Sequence, residues 1–151
     1  MRPRTILSIA APAALVAVLV AATAAPRESA DEAAIRQTVQ LYFDGGEKLN
    51  QAFHADARML YAKEGHLKVV PIADFIAKSI AWSAKPKDAA YVEPVKRVAS
   101  IDVAGNAAIA KLEITKPGWV TTDYMSLLKV DGQWVIVNKI FDSAQTTTAS
   151  R

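Results

Sequence analysis

Polar and apolar positions follow two regimes along the chain. In the first, Ser29 and Glu32 form an S-x-x-E start signal, and behind them Ile35, Val39, Tyr42 and Phe43 recur at i, i+4, i+7 and i+8, the spacing that lines one face of a helix. Gly45-Gly46 ends that helix. Leu49, Ala52 and Phe53 predict a short second helix, and two strand-like pieces follow at Arg58 to Ala62 and Leu67 to Val70, around Lys63-Glu64-Gly65. Pro71 opens a third helix with Ile72, Phe75, Ile76 and Ser79 or Ile80 as its buried stripe, closed by Lys85-Pro86-Lys87-Asp88.

From Ala89 the period becomes two. Ala110, Leu112 and Ile114 alternate with Lys111, Glu113 and Thr115, the pattern of a half-buried antiparallel strand. The turns Gly105-Asn106, Lys116-Pro117-Gly118 and Asp131-Gly132 divide this half into strands at about 90–103, 107–115, 119–130 and 133–141. Residues 143–151 are polar and read as a disordered tail. Helices first and a strand meander last predict an α+β domain over residues 31–142, with three helices packed on one face of a curved, mainly antiparallel sheet.

The N-terminus changes the picture of charge. Arg2 and Arg4 precede the ten-residue apolar run Ala13 to Ala22, and Ala22-Thr23-Ala24 has the small-x-small form of a signal peptidase site. Residues 1–24 are expected to be a cleaved signal peptide, 25–30 a linker, and the mature protein periplasmic or secreted, with no membrane association after cleavage. Without Arg2 and Arg4 the formal charge falls by two, from +3 to +1, so the basic character is largely that of the signal and nucleic-acid binding loses its support. There is no cysteine, which removes disulfides, thiol nucleophiles and thiolate metal sites together.

The chemistry-bearing positions are few. His54 and Asp56 stand two apart at a strand entrance, where i and i+2 share a face, so they are candidates for an acid-base dyad or for holding the turn through the backbone. His66 is the only other histidine, and no acidic residue completes a metal triad with this pair, so no metal is expected. Trp82, Tyr91, Trp119, Tyr124 and Trp134 surround the sheet half. Alternation groups Asp123 with Thr121, Met125 and Lys129, and with Lys129 read as solvent-facing, Asp123 is expected to be exposed. No Walker, G-x-G-x-x-G or G-x-S-x-G string occurs, so neither a nucleotide cofactor nor a serine hydrolase is expected.

Four strings, Ile35 to Phe43 (IRQTVQLYF), Phe53 to Ala57 (FHADA), Asp123 to Val130 (DYMSLLKV) and above all Asp131 to Phe141 (DGQWVIVNKIF), resemble the nuclear-transport-factor-2-like superfamily. Within it they are most similar to the small exported group labelled lumazine-binding or SnoaL-like. The resemblance implies a sheet wrapped around three helices, a cone-shaped apolar cavity and a homodimer formed through the outer sheet face; it does not imply a reaction. It places Tyr42 approximately on the tyrosine that stabilises an oxyanion in the isomerase members, and Tyr61 where those members carry the carboxylate base. A phenol is a poor base at neutral pH, which speaks against that isomerase step. Trp82 and Tyr124 fall at the mouth and inner wall of the implied cone. The expected function is binding of a small apolar or aromatic organic ligand by Tyr42, Tyr61, Trp82 and Tyr124. One alternative is a cofactor-independent isomerase, cyclase or dehydratase using Tyr42, His54 and Asp56. Another is a structural dimerisation module whose cone is filled by Phe43, Phe75 and Trp82.

The signal reading has a direct test. N-terminal sequencing of the protein recovered from its own host should begin at Ala25 or within a few residues of it, and intact Met1 in a membrane fraction would overturn the expectation.

Overall fold

The computed structural model describes residues 28–146, so the expected signal segment and its expected cleavage site lie outside the described residues, as does the end of the expected tail. Helix α1 spans Ala30–Asp44, a 3₁₀ turn covers Gly46–Lys48, and α2 spans Leu49–Ala52. Strands β1 (Phe53–Lys63) and β2 (His66–Pro71) lead into α3 (Ile72–Ser83), and β3 (Val95–Ala104), β4 (Ala107–Lys116), β5 (Trp119–Val130) and β6 (Gln133–Gln145) complete the chain. Among the described residues no helix is long and apolar enough to cross a membrane.

The start of α1 is marked by a reciprocal pair of side-chain caps. Ser29 Oγ accepts from the Glu32 amide at 3.1 Å and Glu32 Oε2 accepts from the Ser29 amide at 2.8 Å, so two N–H groups that a helix start leaves unpaired are satisfied reciprocally. Ile35, Thr38, Val39 and Tyr42 then form the buried stripe. Its end is tied to α3, because Gly46 donates its amide to Ser79 Oγ at 3.1 Å, and both Gly45 and Gly46 take the left-handed φ (69° and 58°) that lets the chain reverse there.

The six strands form one curved, open sheet in the order β2-β1-β6-β5-β4-β3. All neighbours are antiparallel except β1 and β6, which run parallel. The expected α+β architecture, three helices on one face of a mainly antiparallel sheet, is what the chain adopts, and the hairpin turns fall where the sequence places them. Asp131 and Gly132 both take positive φ (49° and 79°), as a two-residue hairpin requires. The expected second helix stops one residue earlier, with Phe53 already in β1. The strand expected from about residue 90 begins at Val95, and the last strand runs to Gln145, where Thr121 pairs with Ser143 and Trp119 with Gln145.

Two irregularities decide which side chains face inward. Between Phe53 and Arg58 the ladder with β6 is interrupted, since Phe53 pairs with Ile136 while Arg58 pairs with Asn138, so His54 to Ala57 arch away from the neighbouring strand. Opposite, Ser126 pairs with Asn138 but Leu127 with Ile136, which leaves Val137 as the extra residue of a bulge in β6. The bulge reverses the phase of alternation: Trp134 and Ile136 point to the helices before it, Lys139 after it, and all three are buried. The core thus joins Ile35, Val39 and Leu49 of the helices to Leu112, Met125, Leu127 and Ile136 of the sheet.

Candidate functional site

Three polar side chains meet inside this core. Tyr42 comes from the last turn of α1, Asp123 from β5 and Lys139 from β6 just past the bulge. The Tyr42 hydroxyl donates to Asp123 Oδ2 at 2.6 Å and accepts from Lys139 Nζ at 2.6 Å, and Lys139 Nζ stands 3.1 Å from Asp123 Oδ1. Asp123 is fully buried, and Lys139 retains only 5% exposure. Asp123 Oδ1 has the lysine charge beside it at 3.1 Å, without the alignment of a hydrogen bond.

Aromatic rings wall the network in. Lys139 Nζ lies 5.0 Å from the centroid of Tyr42, 5.4 Å from Phe75 and 4.9 Å from Phe141, and rings stack onward from Tyr42 to Phe53 (5.9 Å, edge-on) and from Phe53 to Phe75 (6.1 Å). The setting acts on the titrating groups in opposite senses. Burial pushes the Lys139 ammonium below its ordinary value although the Asp123 carboxylate beside it pulls the other way. For Tyr42 burial comes first and the Asp123 charge second, and both hold the phenol protonated well above its usual range. At neutral pH Tyr42 is therefore a fixed hydrogen-bond donor, not a base.

The structure brings some of the expected residues to this place and leaves others apart. Tyr42 faces inward as its helical stripe requires. Tyr61 lies on the same concave side, two residues from Met59, which pairs with Lys139, and stacks on Phe141 at 5.0 Å. Trp82 is half exposed at the end of α3 and lines a separate cleft of about 370 Å³ with Phe43, Ser79, Tyr91 and Lys96. Tyr124 points the other way: it pairs with Ile140 and Lys111 on the convex face and is exposed there. His54 and Asp56 sit in the arch of β1, where the Asp56 amide donates to His54 Nδ1 at 3.2 Å and the carboxylate lies 3.7 Å from the same nitrogen. No hydrogen bond or ion pair among the described residues joins them to Tyr42. No group of three metal-ligating side chains gathers among the described residues either.

Asp123 corrects the sequence reading, which expects it exposed. Alternation does group Asp123 with Lys129, but Lys129 faces the helices and not solvent. Its ammonium reaches Asp31 in the first turn of α1 at 2.8 Å, and Asp31 also accepts from Trp134 Nε1 at 2.9 Å. A lysine near the end of an inward-facing row can find a carboxylate at the rim of the helix layer, so its charge does not mark an outer face. Lys139 goes unnoticed in sequence because alternation carried from Trp134 buries Asn138 and Ile140; the one available signal is a lysine inside the apolar run from Val135 to Phe141.

Two variants test the network. Lys139→Met should cost about 3–5 kcal/mol by stranding the Asp123 charge, and adding Asp123→Leu should recover most of it, both read by denaturant unfolding. Because Tyr42 stays protonated in the folded protein above its ordinary value of 10.0, while the unfolded chain ionises there, its contribution to stability is complete below pH 10 and falls as pH rises further. Tyr42→Phe should therefore show a shallower loss of stability above pH 10 than the parent.

The comparisons with known proteins follow the fold. A crystal structure of an NTF2-like protein of unknown function from Shewanella baltica is similar with a TM-score of 0.63 and 25% identity, covering 77% of this chain and 95% of that one. A second NTF2-like protein of unknown function, from Methylobacillus flagellatus, gives a TM-score of 0.61 and 29% identity over 78% of this chain and 96% of that one. A domain of unknown function with a cystatin-like fold from Nostoc punctiforme, at 19% identity and a TM-score of 0.57 over 82% of each chain, shares the fold alone. Among curated proteins no sequence matches. The family pattern described as "Putative lumazine-binding" matches residues 30–142, so the chain belongs to that family and to the NTF2-like fold.

Proposed function

We propose that this chain is a ligand-binding domain that holds a small planar organic molecule on the concave side of its sheet, at the Tyr61 and Phe141 rings in front of Tyr42, Lys139 and Asp123. What carries the reading is the polar cluster of Tyr42, Lys139 and Asp123, set in an apolar interior lined by aromatic rings. A charged pair taken out of water weakens a fold unless its remaining lone pairs are met, and Asp123 Oδ1 is buried with no aligned donor. A ring N–H would meet it, while a ring carbonyl would accept from Lys139 Nζ. Lumazine, the molecule in the family's description, is a flat bicyclic ring with lactam N–H donors beside carbonyl acceptors, and two stacked aromatics suit its faces. Phe75, which now stands over the lysine, would have to turn aside to admit it.

The proposal extends to export, from the N-terminal signal, and to a homodimer through the convex face. Leu60, Leu67, Tyr124 and Ile140 line an open groove of about 350 Å³ there, and Leu67 is 69% exposed, a run of apolar surface that a second copy would cover. A different reading, a module with a filled interior, is favoured by the ring chain Tyr42–Phe53–Phe75, and loss of ligand binding separates the two.

Lumazine fluorescence titrated with the mature protein should saturate, and the double variant Lys139→Met with Asp123→Leu, which lacks both ligand contacts, should weaken binding by about 5- to 150-fold, the net value of two hydrogen bonds. Absence of saturation, together with no retained small molecule in native mass spectrometry of protein purified from its own host, would leave the filled module. Sedimentation at micromolar concentration should give twice the mass of the mature chain, and a clean monomer would remove the dimer.

A further inference from the structure

Helix α3 ends at Ser83, and the connection to β3 folds back over its last turn. Tyr91 comes to 5.9 Å from Trp82, ring centre to ring centre, at an angle of 56°. An ammonium already occupies the space between them. Lys87 Nζ sits 3.1 Å above the Trp82 ring centre and 5.2 Å from that of Tyr91. Among the described residues its one polar contact is the Trp82 carbonyl oxygen, at 3.5 Å, the outer limit of a hydrogen bond. Lys96, in the same cleft, is by contrast fully engaged: it donates to the Phe43 carbonyl at 2.6 Å and pairs with Glu93 at 3.2 Å.

We infer that this cleft is a binding site for a small organic cation of the methylated or quaternary ammonium class, whose head group takes the seat between Trp82 and Tyr91 that Lys87 now holds.

Three observations give the site its chemistry. The two faces are aromatic and the seated group is a cation, the arrangement in which ring quadrupoles attract positive charge. Glu93 adds a carboxylate at the rim, where the Tyr91 hydroxyl donates to it at 2.7 Å, and Asp44, which Lys48 pairs at 2.6 Å, lies across the cleft. The hydrogen bonds from Tyr91 and Lys96 hold the Glu93 carboxyl below its ordinary range, so it is ionised at neutral pH. The space, about 370 Å³ with Phe43 and Ser79 on its far side, exceeds what one lysine tip fills. A lysine ammonium is strongly hydrated and gains little from a seat with one long hydrogen bond, whereas a methylated ammonium brings methyl groups to both rings and gives up less water. Lys87 acts as a tethered occupant that a better-suited cation displaces.

The inference stands apart from the ligand proposed above, since neither Trp82, Lys87 nor Tyr91 belongs to the Tyr42 network. Tetramethylammonium titrated into the full mature chain, followed by the saturation-transfer signal of its methyl protons at constant ionic strength, should bind saturably. Lys87→Ala should bind at least threefold tighter, because the tethered competitor is gone. Trp82→Ala should bind at least tenfold weaker with an unchanged melting temperature, and Glu93→Gln should weaken binding without touching a ring. Equal binding of a neutral isostere, neopentane-like in shape, would show an apolar hollow with no preference for charge and overturn the proposal. So would absence of binding to both the parent and Lys87→Ala, or indifference to Trp82→Ala.

Discussion

The concave side of the sheet is organised by an ion pair that water does not reach. Lys139 and Asp123 sit on neighbouring strands, and Tyr42 closes them from the helix layer with a hydroxyl that donates to one and accepts from the other. Such a pair is a poor source of stability, since desolvation consumes most of the attraction, and the lowered affinity of Lys139 for its proton shows burial outweighing the carboxylate. Its structural effect is on position: the three groups tie the last turn of α1 to β5 and β6. The bonds from Lys129 and Trp134 to Asp31 fix the other end of the same helix and that from Thr38 to the Trp134 carbonyl its middle, so α1 is pinned along its length to the β5–β6 hairpin.

The sheet and its helices were legible because each rests on a local rule. A capping box, a helical stripe and three turn signals place α1, α3 and the meander, and none needs a distant residue to be right. The site was half legible for the complementary reason. Tyr42 faces inward because its helix has one apolar face, but Lys139 faces inward only because Val137 is an extra residue, and a bulge has no fixed spelling in sequence. Asp123 was misread through Lys129, whose partner Asp31 lies at the far end of the chain. Charge marks an outer face only when no counter-charge waits inside, and pairing of that kind is a tertiary fact.

His54 and Asp56 illustrate another limit. Spacing of two puts them on one face of a strand, and the contact between them is real, but the strand arches off its neighbour at that point and carries both away from the interior. Their geometry is that of a turn holding itself, the Asp56 amide capped by the imidazole two residues earlier.

The parallel pairing of β1 with β6 has a consequence for how the molecule is built. The first strand waits for the last: Leu60 has its partner Ile140 only when the C-terminal strand exists, and the β1–β2 hairpin has no other strand beside it. The meander from β3 to β5 closes by short turns, but Lys139, which completes the buried ion pair, arrives on that same final strand. A chain made from its N-terminus therefore carries the Asp123 charge and an unpaired β1 edge until its closing residues emerge, and the sheet and the network are finished together in one late, long-range step.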